Sequence, residues 1–430
     1  MINRKQIFHR ILVKVYASLI KNMFDLVDFS TNSAATASLL SVLTASAFSC
    51  ATALVDARLY WPYFEKWQQR WNVTYDSPEN EIIRGEIWAD NARRVMNHNR
   101  KTTSWTQILN PFADQTSLEF KSKHNGLTPP QYPRPPTLWP PVHASWAIPD
   151  SVDWRHHGIV NPIKNQEQCG SCWAFSAVAS LEGQYALKNK NLTSFSEQNL
   201  VDCVQDVQVQ GGLCCDGCEG GLMDAAFEYL AKSQNGKDDL ENKYVYTAMD
   251  EQCSFAQNGP GLGDVTGYVD LPTGCDHSLA QAVATIGVIS VGVDANSDWQ
   301  MYGGGVYVPD PNQGGCSSDP GALDHGVAVV GYNTDVFNNK TMSYWIVRNS
   351  WGRDWGIDGY MYLSRDVQNA CGISNYASYP VLRGGARDEN QCLNSHPQCP
   401  SEVCYTPCPC SCFIPSSVSP CDCSAATCSC

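Results

Sequence analysis

The chain has 430 residues, 43% hydrophobic and 17% charged, which suits packed globular structure and exceeds what one domain needs. A formal net charge of −14 with a pI near 5.0 argues against nucleic acid as a partner, since phosphate binding needs a basic face. Of 21 cysteines, 20 lie at or after Cys169, a density that fits disulfides formed in an oxidising secretory compartment.

Residues 1–53 read as a signal peptide or a signal anchor. Residues 34–53 are rich in Ala, Ser, Leu and Val, with small-residue endings at Ala45-Ser46-Ala47 and Ala51-Thr52-Ala53. The basic residues Arg4, Lys5, Arg10, Lys14 and Lys21 lie well upstream, and Asp25 and Asp28 intervene. A true start at Met23 is the alternative. No later segment reaches 18 uninterrupted apolar residues, so no membrane association is expected after processing. Glycosylation sequons at Asn72, Asn191 and Asn339 agree with secretion.

Residues 61–67 and 81–100 read as helices. In the second, Arg84, Trp88, Asn91, Val95 and Asn99 recur at three- and four-residue steps, one helix face. Seven prolines between Pro129 and Pro141 then enforce extended chain, so 126–147 reads as a linker open to proteolysis.

The run Gln166-Glu167-Gln168-Cys169-Gly170-Ser171-Cys172-Trp173 leads through a Gly-containing turn into Phe175, Val178, Leu181 and Tyr185 at helical spacing. Cys172 therefore stands at a helix N-terminus, where orphan N–H groups and the helix dipole favour a thiolate. A metal half-site or a redox Cys-x-x-Cys is the competing reading of the two cysteines. The five letters Cys-Gly-Ser-Cys-Trp are, however, the signature around the nucleophile of papain-type proteases. His325 follows 153 residues later, about the separation that signature expects. Between about 61 and 382 the chain thus resembles the papain family of cysteine proteases, its cathepsin L-like branch.

The resemblance implies an α+β, papain-like two-lobe fold: a helical left lobe carrying the cysteine and an antiparallel, barrel-like right lobe carrying the histidine. The residues agree, with helical signals at 172–188, 196–201 and 222–231 and β signals at 288–293, 325–332, 343–349 and 359–363. The Arg84–Asn99 face resembles the first propeptide motif of the family, with Asn80 where Glu is expected. Asn110-Pro111-Phe112-Ala113-Asp114 resembles the second, with Ile108 where Gly is usual. An α-helical inhibitory pro-domain at 54–125 is implied, its extended tail blocking the cleft. Ile148-Pro149-Asp150 resembles a mature amino terminus, placing maturation within 144–148 and the peptidase domain at 148–382.

By the same resemblance, Cys172 attacks, His325 is its acid–base partner, Asn349 orients the imidazole, and Gln166 donates to the oxyanion. Trp351 shields the His–Asn bond. Gly220, Gly221, Leu222, Met223, Gly292, Leu323 and Gly326 match substrate-binding positions. Tyr376 falls at the floor of the second-position pocket, which it should shorten in favour of aliphatic residues. Family pairings join Cys169 to Cys218, Cys203 to Cys253 and Cys316 to Cys371. Cys214, Cys215 and Cys275 have no family partner, which leaves one of them free or bonded to the tail or to another chain. Glu182 and Glu197 match buried structural positions. Glu167 stands where Gly is usual.

After a 383–391 linker, residues 392–430 hold ten cysteines in 39 residues, too few to build a core without cross-links. Disulfides are favoured over a thiolate metal cluster there. The expectation is a monomeric cysteine endopeptidase made as a zymogen. It needs no cofactor or metal, acts on proteins and peptides, and is bound for the lysosome, vacuole or exterior. A catalytically silent binding homologue and a cysteine-rich metal-binding protein are the alternatives.

Overall fold

A computed structural model describes residues 59–101, 103–129, 148–209, 212–257 and 259–385. The expected leader and the cysteine-rich tail lie outside the described residues, as does the region assigned to maturation cleavage. The described chain forms two compact units, one of 59–100 with 111–116 and the other of 101–110 with 117–385.

In the first unit, helix α1 (59–71) packs on α2 (Pro78–Asn99). Ser77 caps α2 by accepting from Asn80 N–H, and Pro78 follows at the first turn, where its missing N–H costs nothing. Phe64 and Trp67 of α1 meet Trp88 of α2 in an aromatic core. Gly85 is required there, because a Cβ would stand 2.6 Å from the Trp61 ring. The periodic polar residues hold the loop that follows. Asn91 Nδ2 donates to the Ala113 and Gln115 carbonyls at 2.8 and 2.9 Å, and Arg84 to the Asp114 carbonyl at 3.1 Å. The unexpected Asn80 bonds Asp76, while neighbouring Glu81 accepts from Gln68.

The second unit is built on one long buried helix and one sheet. Its helices are α3 (Ser117–His124), α4 (Cys172–Asn189), α5 (Glu197–Cys203), α6 (Met223–Ser233), α7 (Asp276–Thr285) and α8 (Ser297–Met301). Its strands begin with β1 (Trp105–Gln107), β2 (Val152–Asp153), β3 (Gln205–Val209), β4 (Gly212–Asp216), β5 (Lys237–Asp238), β6 (Leu262–Gly263) and β7 (Val265–Asp270). They continue with β8 (Ile289–Val293), β9 (Tyr302–Tyr307), β10 (His325–Phe337), β11 (Lys340–Arg348), β12 (Tyr360–Ser364) and β13 (Ala377–Leu382). The main sheet runs β1-β9-β12-β11-β10-β8-β13-β7, with β2 added along β10. Its pairings are antiparallel apart from β12 with β9.

α4 is buried on almost every side, so its small residues matter. Gly183 lies where a Cβ would press to 2.8 Å on Val288, and Ser176 and Ser180 donate to the Val327 and Val288 carbonyls. These contacts fix the helix against β10 and β8. Glu182 and Glu197 are buried as well, and both pair with Lys164, with Arg348 also facing Glu182. The sequence reading did not pick out α7. It is a helix of good formers whose Leu279, Ala282 and Val283 are fully buried.

Candidate active site

The last turn of α3 and the chain after it run to the sulfur of Cys172. Cys172 is the first residue of α4 and fully buried. Its Sγ accepts two backbone N–H groups at 3.3 Å, from Gly326 and from Gly126. His325 opens β10, beside Gly326, and its Nε2 lies 2.8 Å from Asn349 Oδ1. Nδ1 is the other ring nitrogen, and a bond to the His124 backbone also raises the proton affinity of the imidazole. The Trp351 indole stacks on the imidazole with ring centroids 4.5 Å apart and covers the His–Asn bond.

Gln166 is also fully buried. Its Nε2 donates to the His124 and Cys169 carbonyls, both at 2.9 Å. Its Oε1 accepts from Ser350 Oγ at 2.6 Å, which settles which way the amide faces. Burial pushes the Cys172 thiol up to about 12 and pulls the His325 imidazole down to about 4. Both shifts favour the uncharged forms, thiol and imidazole.

The sequence matches the model of the papain family cysteine proteases over residues 148–381, more than half of the chain. The chain belongs to that family. Residues 64–120 match the cathepsin propeptide inhibitor domain. Rat procathepsin L is 42% identical over 340 residues, covering 77% of this chain and 96% of the relative. Cathepsin L of Sarcophaga peregrina is also 42% identical, covering 74% of this chain and 91% of its own. Among solved structures, digestive procathepsin L 3 of Tenebrio molitor superposes with a TM-score of 0.65 at 37% identity. It covers 75% of this chain and 99% of the Tenebrio chain. Recombinant stem bromelain precursor gives 0.65 at 33% identity, covering 75% and 98%. The protein is thus a cathepsin L-like cysteine peptidase made with its own inhibitory pro-segment.

In this papain-family zymogen the pro-segment strap occupies the cleft. Gly221 N–H donates to the Gly126 carbonyl at 2.9 Å, and Thr128 N–H to the Gly221 carbonyl at 3.2 Å, a parallel bridge. Leu127 N–H donates to the Asp324 carbonyl. The Leu127 side chain fills the space in front of Gly292, where a Cβ would meet Leu127 at 2.7 Å, Tyr376 at 3.2 Å and Leu323 at 3.5 Å. Leu222 and Met223 are buried in the same cluster. Gly220, at φ +127°, faces the strap, with a hypothetical Cβ 2.8 Å from the Gly126 carbonyl. Gly326 instead stands at the sulfur. Tyr376, Leu323 and Gly292 thus converge on one pocket.

Lys121 of α3 adds an ion pair to Asp324 at 2.7 Å and reaches Asp294 at 3.4 Å. Phe120 sits edge-on to Trp351. None of these strap contacts was identified from sequence, nor was Ser350. The dipeptide Asn125-Gly126, just ahead of the prolines, was the available signal.

Disulfides join Cys169 to Cys218, Cys203 to Cys253 and Cys316 to Cys371, and Cys172 is free. Cys214 and Cys215 bond to each other, and Cys275 is disulfide-bonded too. No free cysteine therefore remains among these three. Glu167 is exposed and has φ +54°, the left-handed region where glycine is at ease, which accounts for the residue usual there. Asn72, Asn191 and Asn339 are all exposed. Among the described residues no helix is long and apolar enough to cross a membrane.

Proposed function

We propose that Cys172, His325, Asn349 and Gln166 carry the peptidase reaction. The observation that supports this most directly is the 2.8 Å His325–Asn349 bond, which leaves Nδ1 for a sulfur held at the start of α4. Once the strap leaves, water and the helix N-terminus favour the ionised pair, thiolate with imidazolium. The thiolate attacks the scissile carbonyl carbon. The resulting oxyanion takes the place of the His124 carbonyl and receives hydrogen bonds from Gln166 Nε2 and the Cys172 N–H. The imidazolium gives its proton to the leaving amine, producing a thioester. Water, deprotonated by His325, then attacks the thioester; the carboxylic acid leaves and the thiol is restored.

The strap resists this chemistry through its direction. The group over the sulfur is an N–H, which offers no carbon to attack. Leu127, which fills the pocket, lies on the C-terminal side of the residue over the sulfur. A substrate with its second acyl-side residue in that pocket runs the opposite way. Leu127 also supports the specificity reading: a pocket bounded by Tyr376 that holds Leu favours Leu, Val or Ile over Phe or Arg at the second position.

The secretory route, the maturation point between 144 and 148 and the monomeric state belong to the same reading, and the disulfides and exposed sequons support the secretory route. The test is to express the precursor, acidify it and titrate it with an epoxide-type thiol inhibitor. Stoichiometric labelling at Cys172 with loss of peptidase activity is expected. Activity that survives Cys172→Ala would overturn the assignment.

A further inference from the structure

The bond between Cys214 and Cys215 lies directly behind the residue that pairs with the strap. Gly221 offers its N–H and carbonyl to the pro-segment. In the space its side chain would take stand the Trp173 ring, 2.6 Å from a hypothetical Cβ, and the Cys215 sulfur, 3.0 Å from it. Cys214 is buried in the core cluster with Trp173, Leu222 and Met223, whereas Cys215 is half-buried. Cys215 has φ +80°, a left-handed conformation unfavourable for a residue with a side chain. The next residue, Asp216, donates to the Gly220 carbonyl at 2.9 Å, so Cys215 is coupled to the Gly220–Gly221 backbone through sulfur and main chain alike.

We propose that Cys214–Cys215 is a thiol–disulfide exchange site whose closed ring holds Gly221 in place to pair with an extended peptide. The proposal rests on the reading of Gly221 as a substrate-pairing residue. The co-reactant is a dithiol. One of its thiolates attacks the Cys215 sulfur, breaking the Cys214–Cys215 bond, and Cys214 leaves and takes a proton. The second thiol of the reductant then attacks its own sulfur in the mixed disulfide. Cys215 is released as a thiol and the reductant leaves as a cyclic disulfide. One disulfide is reduced and one dithiol oxidised. A monothiol stops at the mixed disulfide, where the neighbouring Cys214 expels it and closes the ring again.

Opening the ring changes the wall by sterics. Bonded sulfurs sit about 2 Å apart, whereas non-bonded heavy atoms keep about 3.5–4.0 Å. Cys214 is held by the core, so the displacement falls on Cys215, which is also released from its left-handed conformation. Gly221 is its neighbour. The consequence is weaker peptide pairing at Gly221, with the reacting groups at Cys172 and His325 left in place.

The experiment uses the acid-matured enzyme and a peptide substrate with at least three residues on the acyl side. A monothiol such as free cysteine keeps Cys172 reduced in one arm, and a dithiol is used in the other. Alkylation with peptide mapping reports which cysteines have opened. The expectation is that only the dithiol exposes Cys214 and Cys215, and that KM then rises about three- to tenfold, the worth of one backbone hydrogen bond, while kcat holds. A Cys214→Ser, Cys215→Ser double variant should show the raised KM in both arms. An unchanged KM with the ring mapped as open overturns the proposal, as does alkylation of both cysteines before any reductant is added. A dithiol response that persists in the double variant overturns it too, by assigning the effect to another disulfide. Loss of Cys172 labelling in both arms strikes instead at the catalytic reading.

Discussion

The Gly126 N–H points at the Cys172 sulfur from 3.3 Å, and no side chain larger than hydrogen fits at Gly126. A Cβ there would lie 1.8 Å from the Gly170 carbonyl oxygen. The strap can close on the nucleophile because one residue lacks a side chain.

Gly126→Ala should therefore loosen the strap without touching the catalytic groups. Overpacking of about 1–3 kcal/mol corresponds to roughly 5- to 150-fold more open precursor. The measurement is the rate at which uncut precursor is labelled by a thiol-directed epoxide. Labelling no faster than in the parent would show that the strap contact does not hold the enzyme shut.

Acid should open the same strap. Burial holds His124 at about 4, below the ordinary 6.5 of an imidazole. Between those values the opened form binds a proton at His124 that the closed form does not, whereas at His325 the opened thiolate–imidazolium pair holds the same one proton as the closed thiol–imidazole pair. Closure is thus fully stable above about pH 6.5 and loses up to about 3 kcal/mol at His124 as pH falls towards 4. Hydrogen exchange of residues 117–129 in a Cys172→Ser precursor, corrected for intrinsic rates, should accelerate from pH 7 to 4.5. Flat protection across that range would exclude this trigger.

Ser350→Ala should slow the mature enzyme. It strips the 2.6 Å donor from Gln166 Oε1, leaving a buried acceptor unsatisfied at about 1–3 kcal/mol and freeing the amide to turn. A fall of roughly tenfold in kcat/KM is expected, smaller than the roughly 10²–10³ loss for Gln166→Ala. Equal losses for the two variants would mean that Ser350 does more than orient the amide.

Tyr376→Ala should lengthen the pocket that Leu127 occupies. The ratio of kcat/KM for Phe over Leu at the second substrate position should rise by about tenfold or more, as hydrophobic pocket contacts are worth roughly 1–3 kcal/mol. An unchanged ratio would remove Tyr376 from the pocket floor.

Glu167→Gly should raise the melting temperature by a few degrees. Relief of a left-handed, non-glycine residue is worth up to about 1 kcal/mol after the added chain entropy of glycine. Differential scanning fluorimetry of the precursor decides it; a lower melting temperature would show that the Glu167 side chain contributes more than its conformation costs.

The sequence by itself pointed to the proposed reacting set and to the helices and strands that carry it. Cys172 at a helix start, His325 at a strand start and Asn349 before Ser350-Trp351 are local patterns, each legible from a few adjacent residues. Periodicity likewise located α2, α4 and β10 to within a few residues, apart from the extension of β10 to Phe337. Contacts between residues far apart in sequence were beyond its reach. That the Gly126 N–H meets the Cys172 sulfur, that Ser350 turns Gln166, that Lys121 grips Asp324, and that Cys214 bonds its own neighbour behind Gly221 all depend on which backbones come within hydrogen-bonding or bonding distance. The tertiary structure decided those, because a directional contact of about 3 Å depends on the path of the whole chain and leaves little trace in local residue spacing.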